Sequence, residues 1–516
     1  MSGGGNYIQR IINKFLSIKF MDENEIPYGI KQENGKPSVN IETGNNTSSD
    51  AFGRFRVANP VNIFENKNIH NRNKNQWEEP IVGAIIVHGT VTSGPFQVAE
   101  TITGGTSGSI GTISAVNAGS VTYDINHNDF EDGETITGGT SGATATVTTH
   151  NTGSDLVHNR NNASVTIQVG ISNGDSSVRT SHRYFPYIPG KSQETGQTFL
   201  FGEAVTNVRR RVGYFNSNNG LFFEQTSAGI RFVRRTKTSG SIVNNLIEQA
   251  DWNEDKFDGS GPSGIDLDFS FIQFFWIDFQ WQGAGRIRFG FEINGKRWVA
   301  HNINISNSKT TVYMSTASLP IRYEITNTGT TAGINTIKEF CTAVTGGGGE
   351  KHTGLGFSIS NDVTARAVTT EVPVLAIRLK NTFGTDNGEN RKTVEFSNGG
   401  IFATTNSAHF EIRRLHAPSS ITATWTDLGI ESAVEYSTDI TAVTGNPSVR
   451  IEEGYAASGQ AGKGGIERVV SGDKLDQHRL LTQNVDSDNS EMFIIYATSL
   501  TGTSNVNAHM SWVEFD

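Results

Sequence analysis

Cysteine, proline and charge are all scarce in this chain. One Cys in 516 residues leaves no partner for an intramolecular disulfide and excludes a zinc centre built from several thiolates. Cys341 is therefore expected to be a buried small hydrophobe. Charged residues make up 18% of the sequence, below the usual quarter, and the formal net charge is -10. With no Lys/Arg-rich tract, the basic footprint of a dedicated nucleic-acid binder is missing. No run of about 18 apolar residues occurs, so no transmembrane helix is expected. The N-terminal string MSGGGNYIQRIINKFLSIKF interrupts its apolar stretch with polar residues and has no small-residue cleavage site, unlike a secretory signal. Synthesis and folding in a cytoplasm follow from that reading.

Glycine is what the chain has in excess: 57 residues, accompanied by abundant Asn, Thr and Ser. That is a turn-rich β composition. At roughly 100–200 residues per domain, the length predicts about three domains with cores of their own, stabilised by packing or assembly.

Residues 6–20 are the clearest helix candidate. Ile8, Ile11, Phe15 and Ile18 recur at helical spacing, and Ile12 and Leu16 widen the stripe. A helix of this length is marginal alone, so Ile8, Ile11, Ile12, Phe15 and Ile18 are the expected assembly or anchoring residues. A polar, Asn/Gly-rich stretch follows. Residues 1–50 thus read as an N-terminal helix and extended anchoring arm.

β signals begin beyond the arm. IVGAIIV (81–87) is a near-continuous apolar run, and Val165, Ile167 and Val169 alternate with polar residues. Between them lies a repeat. FQVAETITGGTSGSIGTIS starts at Phe96 and FEDGETITGGTSGATATVT at Phe130, with Glu100–Gly108 and Glu134–Gly142 identical. Each unit predicts a hairpin about a Gly-Gly-Thr-Ser-Gly turn. The turn lacks the Lys and the following helix of a phosphate cradle. Residues 51–183 therefore form an expected β domain with hairpin repeats inserted at 94–152.

The heaviest core signal is FSFIQFFWIDFQW (269–281), apolar on both faces. RIRFGFEI (286–293) follows, and Asn294-Gly295 turns the chain into KRWVA, a strong hairpin signal. Only IVNNLIEQA (242–250) suggests a further short helix. Residues 184–416 are expected to form a large central β-sandwich and 417–516 a smaller C-terminal one that includes the apolar last strand (Met510, Trp512, Phe515). The fold class is all-β: tandem antiparallel β-sandwich domains of jelly-roll or lectin-like type, with a short N-terminal amphipathic helix.

No chemical motif stands out. FPYIPGKSQ fails as a P-loop because Phe185 replaces the first Gly and two prolines interrupt it. The 12 histidines show no metal-ligand pairing, and no nucleophile elbow occurs. Asp251, Asn253, Asp255 and Asp258-Gly259 echo a calcium loop without its terminal bidentate Glu; the alternative is Asx-turn chemistry shaping a loop. Asp266, Asp268 and Asp278 are the carboxylates available for glycoside cleavage, which needs two at a defined separation. Arg209, Arg210 and Arg211, with Arg231, Arg234, Arg235 and Lys237, are the one basic concentration, suited either to an anionic glycan or acidic partner or to ion pairing at sheet ends. The expectation is of no catalytic, cofactor-binding or metal-ligating residues, and of a protein that is not an enzyme.

The strings DAFGRFRVANPVNIFE (50–65), YFPYIPGKSQ (184–193), RRVGYFNSNNGLFFEQ (210–225), DWNEDKFDGSGPSGI (251–265), IDFQWQGAGRIRFGFEINGK (277–296) and MSTASLPIRYEITNTG (314–329) resemble virion structural proteins of tailed bacteriophages and some other large DNA viruses. The duplicated ETITGGTSG unit is similar to a small module inserted in phage particle proteins. The resemblance implies a fibre, spike or decoration subunit of the head, neck or tail, found in the virion and assembled in the host cytoplasm. It implies contacts with itself, as a homotrimer, with other virion proteins and with a host surface glycan; from the composition, none is expected with nucleic acid or membrane. Two other functions remain open. A carbohydrate-binding module would need Trp252, Trp276, Trp281 or Trp298 exposed in a groove, and a glycan depolymerase would use Asp266 and Asp278.

Overall fold

The computed structural model describes residues 30–33, 36–39, 61–72, 76–125, 130–150, 153–347, 354–361, 364–384, 388–415, 420–444, 448–458, 480–483 and 491–515. The chain divides into two compact units, Met1–Ser48 and Ser49–Asp516. In the first, strands Ile30–Glu33 and Lys36–Val39 pair antiparallel, so the expected extended arm contains a pair of strands. The helix expected over 6–20, with Ile8, Ile11, Ile12, Phe15 and Ile18, lies outside the described residues.

The second unit is all-β and antiparallel. A thirteen-stranded and an eight-stranded sheet enclose one core, and a five-stranded and a six-stranded sheet enclose a second. These are tandem β-sandwiches, as the alternating patterns predict. Aromatic rings fill the first core. Phe232 stacks on Trp252 at 4.2 Å and on Phe289 at 4.5 Å, and Phe223 touches Phe269, Phe275 and Phe291.

The sheets group the strands differently from the expected segments. Asp155–Asn159 and Ser164–Val169 join the eight-stranded sheet beside Asn335–Gly346, while Ser176–Ser181 enters the thirteen-stranded one. Leu355–Ser360 and Val372–Leu379 belong with the C-terminal strands Ser504–Phe515 and Met492–Ser499. The last strand is twelve residues long and buries Met510, Trp512 and Phe515.

Each repeat is a hairpin, and the two hairpins pair with each other through Thr103 and Thr137. Thr144–Thr149 then pairs with the end of Ile81–His88, whose other edge pairs with Ser120–Ile125, so six strands close into a small barrel without free edges. The turns are held reciprocally. The Glu134 carboxylate accepts from the backbone N–H groups of Thr106 and Ser107 (3.1 and 3.0 Å) and from the Ser107 hydroxyl. Glu100 does the same for Thr140 and Ser141 (3.1 and 2.8 Å) and the Ser141 hydroxyl.

A polar cluster interrupts the first core. Arg179 is fully buried and donates to Glu339 at 2.5 Å, to Glu79, and to the Arg72 carbonyl, with its guanidinium 4.5 Å from the Trp77 ring. Asn66 donates to Glu339 at 3.0 Å. Strands far apart in sequence are thereby tied at one point.

Two local expectations are corrected. IVNNLIEQA is the strand Val243–Glu248 followed by a 3-10 turn, Gln249–Asp251, because pairing with Gly229–Thr236 overrides its helical spacing. Cys341 is exposed, since it points away from the core between Lys67 and Thr198.

Candidate functional site

The face of the eight-stranded sheet turned away from the core carries the densest set of functional side chains. Along Gln273–Phe279, Phe275, Ile277 and Phe279 enter the core, so Phe274, Trp276 and Asp278 share the other face. The register places three rows across adjacent strands. Glu194, Asp278 and Arg288 form the first, Gly196, Trp276 and Gly290 the second, and Thr198, Phe274 and Glu292 the third.

The glycines give this face its shape. A Cβ on Gly290 would lie 2.2 Å from the Trp276 ring, and one on Gly196 would lie 2.8 Å from the Phe274 ring. Both rings therefore lie across a neighbouring strand that has no side chain to hold them off. Glycine inside a regular strand commonly marks such a close approach. Charged groups surround the rings. Arg288 pairs with Asp278, Arg297 pairs with Glu194 at 2.6 Å, and the Arg297 guanidinium sits 4.7 Å from the Trp276 ring centre. The Trp276 indole N–H is buried without a hydrogen-bond acceptor.

Of the sequence-predicted carboxylates, only Asp278 reaches this face. Asp268 accepts from the Ser270 N–H and hydroxyl, and Asp266 bridges Asp258 in a separate loop. In that loop Asp255 accepts from the Phe257 and Ser263 N–H groups, and Asp258 from Ser260. Asp255 and Asp258 of the calcium-like motif thus serve Asx turns, and the Asn253 side-chain oxygen accepts from the Asn302 N–H at 2.8 Å. Asp258 and Asp268 are held below the usual carboxylate range by these serine contacts.

The tryptophans present no open groove, and Trp276 itself is 1% exposed, covered by Arg297 and Arg288. Trp252 is core, the Trp281 N–H donates to the Met314 carbonyl at 3.0 Å, and half-buried Trp298 carries Lys296 3.6 Å from its ring. The arginine concentration forms a ladder on the outward face of the other sheet. Glu324, Arg211, Glu224, Arg231 and Glu248 alternate across five strands at 3.0, 2.6, 2.6 and 3.1 Å. Burial would raise the Glu324 carboxyl, but Arg322, Arg211 and Arg209 outweigh it and hold the group at about 2. Ion pairing accounts for Arg211 and Arg231, whereas Arg210 turns to the Glu203 and Thr336 carbonyls.

Sequence reading missed Glu194, Arg288 and Arg297. Their one local signal is a glycine at an outward position of two regular strands, Gly196 and Gly290. Among the described residues one further cluster has metal-ligand atoms in reach, His409, Glu411 and Glu453, but Arg413 and Arg450 already pair with Glu411 at 2.6 and 2.8 Å.

No protein-family model and no curated protein matches the chain. Solved structures are similar to it in fold. A family 16 glycosyl hydrolase protein from Mycobacterium smegmatis is 11% identical, with 37% of this chain and 77% of that one covered and a TM-score of 0.26. The Bacillus licheniformis β-glucanase is 9% identical, with 56% and 98% covered and a TM-score of 0.27. A legume lectin-like domain from Entamoeba histolytica is 9% identical, with 37% and 87% covered and a TM-score of 0.22. The lectin-like β-sandwich expectation agrees with these matches. The expectation of a protein that is not an enzyme is corrected by them, because two of the three bear the names of glycosyl hydrolases or glucanases. The likeness is one of fold and assigns no residue.

Proposed function

We propose that this chain is a glycan-recognising component of a virus particle. The observation that carries glycan recognition is the pair of rings, Phe274 and Trp276, lying across Gly196 and Gly290 within a frame of Glu194, Asp278, Glu292, Arg288 and Arg297. A sugar ring offers a C–H face to an aromatic surface and hydroxyls to planar carboxylates and guanidiniums, so a few convergent polar groups around an apolar floor suit it. Three carboxylates against two guanidiniums favour an uncharged, hydroxyl-rich glycan over an anionic one. Trp276 is 1% exposed, with Arg288 at 6.0 Å and Arg297 at 4.7 Å from its ring, so Arg297 must leave the ring for a sugar to stack there. Its side chain is 23% exposed and its charge partner is Glu194, so that movement is local. The particle assignment rests on the sequence resemblance.

Calorimetry of the full chain with uncharged host-envelope oligosaccharides tests the site. Trp276→Ala is expected to weaken binding about tenfold or more, the effect of removing a central aromatic anchor. Unchanged affinity in a folded variant would exclude this face. A second reading, glycan cleavage, needs two carboxyl groups about one bond, and Glu194 and Asp278 are directly opposed on adjacent strands, paired with Arg297 and Arg288 respectively. Retaining glycosidases hold two carboxyl groups about 5–5.5 Å apart. On that reading Glu194→Gln and Asp278→Asn each abolish release of reducing sugar. Binding without release leaves recognition as the function.

A further inference from the structure

The thirteen-stranded sheet ends at Val243–Glu248, which pairs with Gly229–Thr236 on one side and has no strand on the other among the described residues. An edge of this kind offers unpaired backbone N–H and C=O groups to any further strand, and proteins commonly blunt it with bulges, prolines or lysines. Here those devices are missing. The pairing runs through six residue pairs without a register shift, and VNNLIE contains no Pro, Lys or Arg. By contrast, the edge strands Lys296–Ile303 and Ser448–Ala456 each contain a bulge, and the first carries Lys296 and Arg297. Ile242, Val243 and Leu246 are 52%, 42% and 50% exposed.

What fits beside this edge is set by the rows of side chains that run into it. On the outward face Glu324, Arg211, Glu224, Arg231 and Glu248 share one register row with alternating charge, and the row stops at an acid whose side chain is 47% exposed. An added strand would continue the alternation with a cation. The next row is Gly213, Phe222, Val233 and Leu246. Phe222 and Val233 are fully buried whereas Leu246 is half exposed, so burial fails only where a flanking strand is missing. An apolar side chain completes that row. In the third row, Gly220, Arg235 and Asn244, the Arg235 Nε–H donates to the Asn244 side-chain oxygen at 2.9 Å, which leaves the Asn244 amide hydrogens to be accepted. The strands of this sheet pair antiparallel, so an added strand that follows suit reads, from its N-terminus, cation, any residue, apolar, any residue, polar acceptor.

We infer that the Val243–Glu248 edge is a docking site for an extended segment of another protein, which adds as an antiparallel strand with Lys or Arg opposite Glu248, an aliphatic residue opposite Leu246 and an acceptor side chain opposite Asn244. Main-chain hydrogen bonds supply the affinity of such an addition, and the alternate side chains its selectivity. A second copy of the same strand does not meet the requirement. IVNNLIEQA (242–250) contains no Lys or Arg, so no register between two copies of it sets a cation against Glu248. The edge lies on the sheet opposite the Trp276 face, and the inference stands without glycan recognition.

Fluorescence anisotropy of the full chain with a labelled cyclic hairpin peptide, whose outer strand reads Thr-Arg-Thr-Val-Thr-Asn-Val, tests the docking site. Cyclisation removes much of the ordering cost of a short strand. The peptide should bind, and N-methylation of the amides on its outer edge should abolish binding, because strand addition needs those N–H groups. Glu in place of the peptide's Arg should weaken binding about fivefold, as a like-charge pair directly across two strands predicts. On Glu248→Lys the order of the Arg and Glu peptides should reverse, which loss of structure alone would not produce. If that variant misfolds, the three peptides on the unaltered chain carry the test. No binding of the Arg peptide, equal binding of its N-methylated or Glu form, or an unchanged order on folded Glu248→Lys would overturn the inference. So would a dimer of the full chain, seen by mass photometry, that Leu246→Lys dissolves, because the edge would then belong to a second copy.

Discussion

Arg179→Met should lower the stability of the chain by about 3–5 kcal/mol, the usual result of removing one partner from a buried ion pair. Arg179 and Glu339 are both fully buried, and their contact at 2.5 Å joins strands Ser176–Ser181 and Asn335–Gly346 across the sandwich interior. Without the guanidinium, Asn66 at 3.0 Å remains to face the Glu339 carboxylate. The pH dependence follows from the direction of the Glu339 shift. Burial raises this carboxyl above its usual value, and Arg179 opposes that rise. A carboxyl raised in the folded state contributes stability that is present below the unfolded value, about 4.3, and is lost as pH rises through the folded one. Removing Arg179 lifts the folded value further. The penalty should therefore be largest at neutral pH and shrink toward acid, where a protonated Glu339 needs no cation. Urea unfolding across this range reads the effect, and a penalty independent of pH would contradict it. Replacing Glu339 by leucine in the same variant should restore part of the loss, since an apolar pair often matches a buried ion pair.

That cluster also marks the limit of what the sequence discloses. Strand identity was legible because alternation is local. Val165, Ile167 and Val169, or Phe289 and Phe291, announce a pleated face within a few residues, and all of them reach the core. Sheet membership is not local. Leu355–Ser360 pairs with a strand about 150 residues later, and the hydrophobic pattern carries no label for its partner. The same holds for the polar groups. Arg179 sits in SSVRTS, which reads as a polar surface strand until Glu339, 160 residues away, neutralises it. Ile242, Val243, Leu246 and Ile247 recur at helical spacing, yet edge pairing decided their conformation. At the candidate site Asp278 was visible as a carboxylate on an apolar strand. Glu194 and Arg288 become its neighbours only through register, and Asp266 and Asp268 are separated from it because the first bridges Asp258 and the second holds an Asx turn at Ser270, both in loops.

Glu100→Gln and Glu134→Gln should each lower stability by about 1.5–3 kcal/mol, the worth of hydrogen bonds to a charged acceptor. Each carboxylate is almost fully buried and closes the turn of the opposite repeat through two backbone N–H groups and a serine hydroxyl. An amide can keep the acceptor oxygen, but it loses the charge and brings two donors where none is wanted. Burial pushes both carboxyls up, and the hydrogen bonds from Ser141 and Gln97, or from Ser107 and Glu131, outweigh it and pull them below the usual value. A carboxyl lowered in the folded state contributes stability that is present above the unfolded value and is lost as pH falls through the folded one. The wild-type barrel should therefore loosen in acid, and the glutamine variants should have a flatter acid limb. Hydrogen exchange at Thr106, Ser107, Thr140 and Ser141 localises the effect, because Glu134→Gln should release the first two amides and Glu100→Gln the last two. Equal penalties are expected from the two-fold, and a full loss from one variant with none from the other would refute the reciprocal arrangement. The crossed pattern also explains why the unit occurs twice: each turn is completed by the glutamate of the other copy, so a single repeat would leave both a buried carboxylate and a set of turn amides unmatched.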